Sequence, residues 1–240
     1  MKKTKLSLFI VGVLLLSGGC APSRTELKSK QARAAERMIK ASEGRLAPVY
    51  APLAEQIVRD YKLADKQGIG IDLGSGPGSL IIELCKRTKM HWIDADINPY
   101  FFPYFYKRAG EAGFAGRVSA VYADAQSLPF RNNYADMIVS RGSYHFWGDK
   151  VKAFGEIYRV LKPSGVAFIG RGFADEFPLE LAKKVRAGHK MNYDKREKAQ
   201  ELQDIMSNLG ISSYRIRIPK KDNSEGINYG IWIEIHKVTK

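Results

Sequence analysis

The chain has 240 residues, of which 45% are hydrophobic, and its formal net charge at pH 7 is +14. A chain of this length and composition can bury one sizeable core but hardly two, and it shows no internal repeat and no low-complexity linker. The excess of cations makes nucleic acid and anionic lipid the partners to consider. No recognised nucleic-acid-binding module accompanies the charge, so the sequence disfavours nucleic acid.

The first 19 residues have the outline of a secretory signal peptide. Three lysines precede an almost wholly apolar run over residues 6–16, which is too short to span a bilayer, and small residues follow it. The stretch from Ser17 to Cys20 resembles the lipobox of bacterial lipoproteins, although Ser17 stands where that motif usually has leucine. The resemblance implies lipidation of Cys20 and cleavage before it. An ordinary signal peptide and an uncleaved apolar anchor are the alternatives.

Residues 20–47 form a basic stretch between this signal and the main domain. Acids are interspersed among its cations, which include Arg24, Lys28, Lys30, Arg33 and Arg37. We predict a partly helical juxtamembrane segment that either contacts anionic lipid or is simply solvated. Such cations favour a cytoplasmic flank, whereas a lipoprotein is normally exported. We therefore predict membrane attachment through Cys20 and leave the face of the membrane open.

The main domain is placed at residues 48–240 and is predicted to begin with a helix. Pro52 suits the first position of that helix, and the apolar residues Leu53, Ile57 and Val58 then share one face. Tyr50, just before it, is a candidate lid over the next turn of the chain. A plain packing role for Tyr50 is the alternative.

A glycine-rich turn follows the first predicted strand, which spans residues 69–73. Its notable residues are Asp72, Gly74, Ser75, Gly76 and Gly78. Glycine removes the Cβ that would keep a ligand away from the backbone, and it permits positive φ in a tight bend. The apolar run after the turn should open a helix whose unpaired N–H groups face the same spot, which indicates a nucleotide-like ligand. A phosphate loop would need a lysine that is missing here, and Ser79 departs from the dinucleotide fingerprint.

Two further strands end in acids at the spacing that such a ligand needs. Residues 90–95 read as a strand that leads to Asp96 and Ile97, and a carboxylate at this distance from the turn can accept ribose hydroxyls. Residues 118–123 read as a strand that leads to Asp124 and Ala125, a pair that can accept an adenine amine and flank its ring. We expect Asp94, by contrast, to be solvated.

The fourth strand, at residues 135–140, ends at Ser140 and leads into an exit loop where a second substrate should arrive. Arg141 is a candidate to hold an anionic substrate there, Ser143 and Tyr144 are candidate contacts, and His145 is a candidate general base. Pairing of Arg141 with a loop acid and packing of His145 between aromatics are the alternatives, and we favour them over catalysis.

An aromatic segment, residues 100–106, holds three phenylalanines and three tyrosines. One core face does not need so many rings. Lining of the ligand pocket, packing, and contact with a partner or membrane are all open for this segment.

Five segments of the chain, taken in order, resemble the class I, Rossmann-like methyltransferases that use S-adenosylmethionine. They are the glycine turn with Asp72, the segment from Asp96 to Pro99, the Asp124-Ala125 pair, and residues 134–143 and 156–165. The resemblance implies a three-layer α/β sandwich with a mostly parallel sheet and a C-terminal antiparallel strand pair. Residues 213–218 and 231–238 are the candidates for that pair. It also implies S-adenosylmethionine as cofactor, with Asp96 on the ribose and Asp124 on the adenine, and we expect no metal ion.

We therefore predict a methyltransferase that moves a methyl group from S-adenosylmethionine to a small-molecule acceptor by in-line displacement. A lipid-like acceptor and a metal-bound thiolate or metalloid are also open. The alternative from another class is a non-catalytic, membrane-anchored lipoprotein that keeps the fold as a binding module. An NAD-dependent oxidoreductase is disfavoured by Ser79 and by the C-terminal strand pair.

Overall fold

The computed structural model describes residues 24–188, 193–219 and 226–238. The predicted signal peptide and Cys20 lie outside the described residues, as does part of the connection between the two C-terminal strands. None of the helices in the described ranges combines the length and the apolar character needed to cross a bilayer.

A seven-stranded sheet forms the centre of the fold. Its strands are β1 (Ile69–Leu73), β2 (His91–Asp96), β3 (Val118–Tyr122), β4 (Ala135–Arg141), β5 (Leu161–Gly172), β6 (Tyr214–Arg217) and β7 (Gly230–His236). They lie in the order β3-β2-β1-β4-β5-β7-β6. The first five strands pair in parallel, whereas β7 runs antiparallel to both of its neighbours.

Helices cover both faces of this sheet. They are α1 (Arg24–Glu43), α2 (Ala47–Asp60), α3 (Ser79–Cys85), α4 (Phe102–Glu111), α5 (Lys150–Val160), α6 (Leu179–Arg186) and α7 (Lys195–Asn208). Alternate residues of a strand point to opposite faces. On β4, Met137 and Val139 join the core under α2 and α3, while Ile138 joins the core under α5 and α7.

The predicted fold class is confirmed: the molecule is a Rossmann-like three-layer sandwich with an antiparallel strand near its C-terminal edge. The predicted strands at 69–73 and 118–123 end within one residue of the observed ones. The fifth strand, predicted over 165–170, is longer, because its pairing with β7 continues to Gly172 and its pairing with β4 starts at Leu161.

The start of the second helix was predicted wrongly. Helix α2 begins at Ala47 with Pro48 in its first turn, and Pro52 lies inside it. Proline is favoured in the first turn because its missing N–H has no partner there. Two prolines within one turn of each other both fit a helix start, and the chain uses the earlier one. Tyr50 consequently sits on the helix and not in a loop before it.

Helix α1, which belongs to the predicted juxtamembrane segment, packs against the rest of the fold. Ala35 on this helix is buried. The Asn98 amide donates to the backbone carbonyl of Gln31 at 3.0 Å, and the Tyr104 hydroxyl donates to Glu43 at 2.7 Å.

The aromatic segment is divided between the interior and the surface. Phe105 is fully buried and Phe101 nearly so, while Tyr100 and Tyr106 are exposed. Pro103 lies in the first turn of α4, where proline is tolerated. The segment therefore supplies both packing and surface.

Candidate functional site

The turn after β1 is a backbone conformation that glycine favours. Gly74, Gly76 and Gly78 have φ values of 68°, 59° and 70°. A Cβ on Gly74 would collide with the side chain of Ser143, and a Cβ on Gly78 would collide with the ring of Phe105. Both glycines therefore let the exit loop and helix α4 approach the turn closely.

Gly76 differs from the other two because a Cβ there would make only ordinary van der Waals contacts, with no collision. The atoms nearest to a Cβ built there are Met38 Cγ at 3.7 Å and Phe101 Cζ at 3.8 Å. The bare backbone at Gly76 is thus available to a ligand.

Asp96, at the end of β2, is held by the backbone of the turn. Its Oδ2 accepts from the N–H of Gly76 at 2.8 Å, and its Oδ1 accepts from the N–H of Asn98 at 2.8 Å. Burial raises the pKa of Asp96, and these N–H donors oppose that shift by favouring the charged form. The carboxylate is fixed in orientation at the base of the turn.

Asp94 was expected to be solvated, and this expectation was wrong. Asp94 is fully buried, and the Ser75 hydroxyl donates to its Oδ1. Burial raises its pKa well above the usual value. Because Ser75 closes over it, Asp94 supports the turn from beneath.

Asp72, at the end of β1, is the third acid of the site. It is buried, and its Oδ1 has no hydrogen-bond partner among the described residues. Burial and the nearby charge of Asp96 raise its pKa to about 8, with Arg141 opposing. An unpartnered buried acceptor costs free energy in the free protein, and a cationic ligand would relieve that cost.

Tyr50 and Arg141 form a cation–π pair at one side of the turn. The Arg141 guanidinium carbon lies 5.5 Å from the centre of the Tyr50 ring. Arg141 also donates from Nε to the Gly172 carbonyl at 3.3 Å. The alternative in which Arg141 pairs with a loop acid does not hold among the described residues, where its contacts are a ring and a carbonyl.

Asp124 follows β3 and closes a short turn of its own. Its Oδ1 accepts from the backbone N–H of Gln126 at 2.9 Å and from the Gln126 amide at 3.1 Å. Ala125 beside it is buried. The pair presents one carboxylate and one small apolar surface.

These parts surround one cavity of about 470 Å³ at the carboxyl ends of β1, β2 and β4. This is the edge at which open α/β sheets bind ligands. Predicted site residues that line it are Tyr50, Asp72, Gly74, Ser75, Gly76, Asp96, Ile97, Asp124, Ala125, Arg141 and Ser143.

Comparison with known proteins assigns the fold to a family. Residues 71–169 match the family model described as "Methyltransferase domain". A solved structure from Methanococcus maripaludis, an inferred S-adenosyl-L-methionine-dependent methyltransferase, is 31% identical in sequence. It aligns over 87% of this chain and 94% of its own, with a TM-score of 0.77. The chain belongs to the S-adenosylmethionine-dependent methyltransferase family.

Curated relatives are similar to this methyltransferase over part of its length. The ubiquinone/menaquinone biosynthesis C-methyltransferase UbiE of Vibrio cholerae is 37% identical over 97 residues, which are 40% of this chain and 37% of that protein. The human mitochondrial arginine-hydroxylase NDUFAF5 is 33% identical over 123 residues, which are 51% of this chain and 34% of that protein. The chain thus spans little more than a third of the length of these relatives.

Four predicted site residues of the methyltransferase lie away from the cavity lining. They are Gly78, Ser140, Tyr144 and His145. Gly78 lies behind the lining under Phe105, while Ser140 and Tyr144 are buried. Ser140 Oγ has no partner among the described residues.

His145 is packed among aromatic rings, with the Phe146 ring centre 3.9 Å from its own. Burial and the nearby cations lower its pKa to about 4. A histidine with this pKa is neutral at pH 7 and a weak base, which agrees with the packing alternative.

The cavity is also lined by residues that the sequence patterns did not point to. These are Met38 from α1 and Gln126, Phe146 and Trp147 from the two loops. Phe101 lines the cavity as well, which was one of the roles left open for the aromatic segment. Phe146 is 80% exposed although it is a large apolar side chain.

Proposed function

We propose that this chain transfers a methyl group from S-adenosylmethionine to a small-molecule acceptor. The observation that supports this most directly is the single cavity that collects the glycine turn, Asp96 and Asp124 in a chain of this family.

The residues around the cavity fit the donor. The open backbone at Gly76 gives room for close approach, and Asp96 has acceptor capacity beyond the two N–H groups it binds. Asp96 would hold the ribose hydroxyls, and Asp124 would accept the adenine amine. The unpartnered, buried Asp72 suits a ligand that carries positive charge.

When bound, S-adenosylmethionine supplies a methyl group on a sulfonium, which leaves by in-line displacement. The chain contributes proximity, alignment and exclusion of water. Tyr50, Phe146 and Trp147 supply aromatic surface around the cavity. His145 does not line the cavity and has a low pKa, so we assign no general base to it.

The test is isothermal titration of the purified full chain with S-adenosylmethionine and with S-adenosylhomocysteine. We expect heat of binding and a rise in melting temperature with both. Absence of heat together with an unchanged melting temperature would contradict the proposal. Quenching of NADH fluorescence on mixing would favour an oxidoreductase instead. Binding of the donor without methylation of any acceptor in a cell extract supplied with radiolabelled donor would favour the non-catalytic binding module.

We also propose that the chain is attached to a membrane through a lipid on Cys20. The support is the sequence of residues 1–20, and helix α1 starts only a few residues later. Cys20→Ser should move the protein from the membrane fraction to the supernatant and abolish labelling by radioactive palmitate. Retention of both properties in the variant would contradict the anchor. Protease accessibility in intact cells decides the face of the membrane.

Helix α1 supports a further contact with anionic lipid. Its cations Lys30, Arg33, Arg37 and Lys40 are exposed, while Ala35 packs inward. Each cation near an anionic surface contributes about 1 kcal/mol. Arg37→Glu should therefore weaken binding to phosphatidylserine vesicles, and Glu55→Gln on the exposed face of α2 should not.

A further inference from the structure

Four arginines lie near the carboxyl ends of β4 and β5, and one of them, Arg141, lines the donor cavity. Arg141 ends β4, pairs in register with Gly170 and donates to the Gly172 carbonyl at 3.3 Å. Arg171 lies between these two glycines on β5. The topology thus places two arginines at the ends of adjacent strands.

The other two arginines come from helix α6 and the loop before α2. Arg186 stacks on Phe173, just past the end of β5, with its guanidinium carbon 4.3 Å from the ring centre. Arg45 donates to the carbonyl of Val185 at 2.7 Å, which brings it beside Arg186. All four residues are partly buried. We refer to Arg45, Arg141, Arg171 and Arg186 as the arginine cluster.

The charges of the cluster are not neutralised within the described part of the chain. No Asp or Glu oxygen there lies within 4.0 Å of any of the four guanidinium groups. Arg186 Nη2 is buried and has no hydrogen-bond partner among the described residues. Uncompensated, partly buried like charges destabilise a fold unless something binds to them.

Arg141 and Arg186 are both affected by the charges of other members of the cluster. Burial lowers the pKa of Arg186 to about 10, and the charges of Arg141, Arg171 and Arg45 add to that shift. Burial also lowers the pKa of Arg141, with Arg45 and Arg171 contributing. Asp72 is the acid that opposes this effect on Arg141.

We propose that the arginine cluster binds an oxyanion of the methyl acceptor, so that the acceptor is a small molecule bearing a carboxylate or phosphate group. Guanidinium groups bind both kinds of oxyanion in bidentate geometry. This inference rests on the proposed function, because the donor occupies the adjacent cavity. Arg141 lines that cavity and marks the boundary between the two sites.

The donor alone cannot supply the missing charge. S-adenosylmethionine carries a sulfonium, an ammonium and one carboxylate, so its net charge is positive. Even if Arg141 meets that carboxylate, the three remaining arginines have no acidic partner within 4.0 Å among the described residues. An anionic acceptor would offset part of their charge and be drawn toward the methyl group.

The experiment is calorimetric titration of the full chain with inorganic phosphate and, separately, with acetate. The protein is first saturated with S-adenosylhomocysteine, so that any site for the donor's own carboxylate is filled. We expect binding in at least one titration, and the two titrations distinguish a phosphate-bearing from a carboxylate-bearing acceptor. Arg171→Gln and Arg186→Gln should each weaken that binding about tenfold, since each removes a charged hydrogen-bond donor.

The matched control is Arg131→Gln. Arg131 is exposed and precedes the amino end of β4, so it lies at the opposite edge of the sheet from Arg141. Its replacement removes the same charge and should leave anion binding unchanged. Melting curves report whether each variant folds. If Arg186→Gln does not fold because the stacking of Arg186 on Phe173 is lost, Arg171→Gln still tests the anion site.

The outcomes separate this inference from the proposed function. Absence of binding in both titrations overturns the anion site. Binding that Arg171→Gln and Arg186→Gln leave intact overturns it as well. Neither result bears on donor binding. Failure to bind S-adenosylhomocysteine contradicts the proposed function instead. In that case, phosphate and acetate are titrated into the chain without S-adenosylhomocysteine. The anion site is then decided by whether anion binding depends on Arg171 and Arg186.

Discussion

The backbone N–H of Gly76 donates to the Asp96 carboxylate at 2.8 Å, which joins the glycine turn after β1 to the end of β2. The two motifs are 20 residues apart in the chain but form one unit. The bond orients the carboxylate before any ligand arrives. A preorganised acceptor binds more tightly because less ordering is needed on binding.

We first predict that Asp96→Ala weakens the affinity for S-adenosylhomocysteine by more than about tenfold, because two ribose hydroxyls lose their acceptor. Calorimetry measures the dissociation constant. Asp65→Ala is the matched control, since Asp65 is exposed and forms only a surface ion pair with Lys89. The melting temperature shows whether loss of the bond to Gly76 unfolds the variant. An unchanged dissociation constant would remove Asp96 from the site.

Met38 gives the second prediction, which concerns helix α1. Met38→Ala should weaken S-adenosylhomocysteine binding by up to about tenfold, because an apolar side chain is lost from the cavity wall. Leu27→Ala, on the same helix but 47% exposed, should have no such effect. Equal affinities for the two variants would show that α1 does not contribute to the site.

The sequence predicted the parts of the site that depend on local pattern. Positive φ at Gly74 and Gly76 and the strand-end position of Asp96 are consequences of a few neighbouring residues. The places of the first four strands along the chain followed from the same short patterns. These features need no knowledge of distant contacts.

The sequence did not predict the parts that depend on long-range packing. Met38 reaches the cavity because α1 folds back on the sheet, and no local pattern reports that. Asp94 is buried because Ser75 reaches over it, whereas an acid at a strand end is more often solvated. The arginine cluster likewise joins residues that are far apart in the chain.

Gly78 gives the third prediction, on stability. Gly78→Ala should lower the free energy of unfolding by about 1–2 kcal/mol for positive φ, and by about 1–3 kcal/mol more for the collision with Phe105. Gly113→Ala is the control, because Gly113 has φ 78° and open space around it. Urea unfolding measures both. Gly78→Ala should cost less in a Phe105→Leu background, because the smaller side chain leaves more room for the added methyl group. An equal cost in the two backgrounds would exclude the collision.

Asp72 gives the fourth prediction, on pH. Its pKa is about 8 in the folded chain and 3.8 ordinarily, so between these values the folded state holds a proton that the unfolded state has lost. The free energy of unfolding therefore falls as pH rises through this window, by at most about 1.4 kcal/mol per pH unit. Asp72→Asn removes this titration. Its stability advantage over wild type should grow from pH 5 to pH 8 and then level off, and an advantage that does not change with pH would contradict the shifted pKa.

The last prediction compares two arginines on β6 that both contact the buried Glu234. Arg217 is 16% exposed and donates to Glu234 at 2.6 Å, to Asp60 at 2.8 Å and to Asp175, so it ties β6 and β7 to the end of α2 and to the loop after β5. Arg217→Met should lower the free energy of unfolding by about 3–5 kcal/mol, because it leaves a buried carboxylate with too little compensation.

Arg215 is 68% exposed and contacts Glu234 at 2.8 Å, so it is the matched control for Arg217. Arg215→Met should cost less than about 1 kcal/mol, since water replaces an exposed partner at little cost. Urea unfolding at neutral pH measures both variants. Equal losses would show that the two arginines stabilise the Glu234 carboxylate equally. They would also show that the contacts of Arg217 with Asp60 and Asp175 add nothing to the stability of this edge of the sheet.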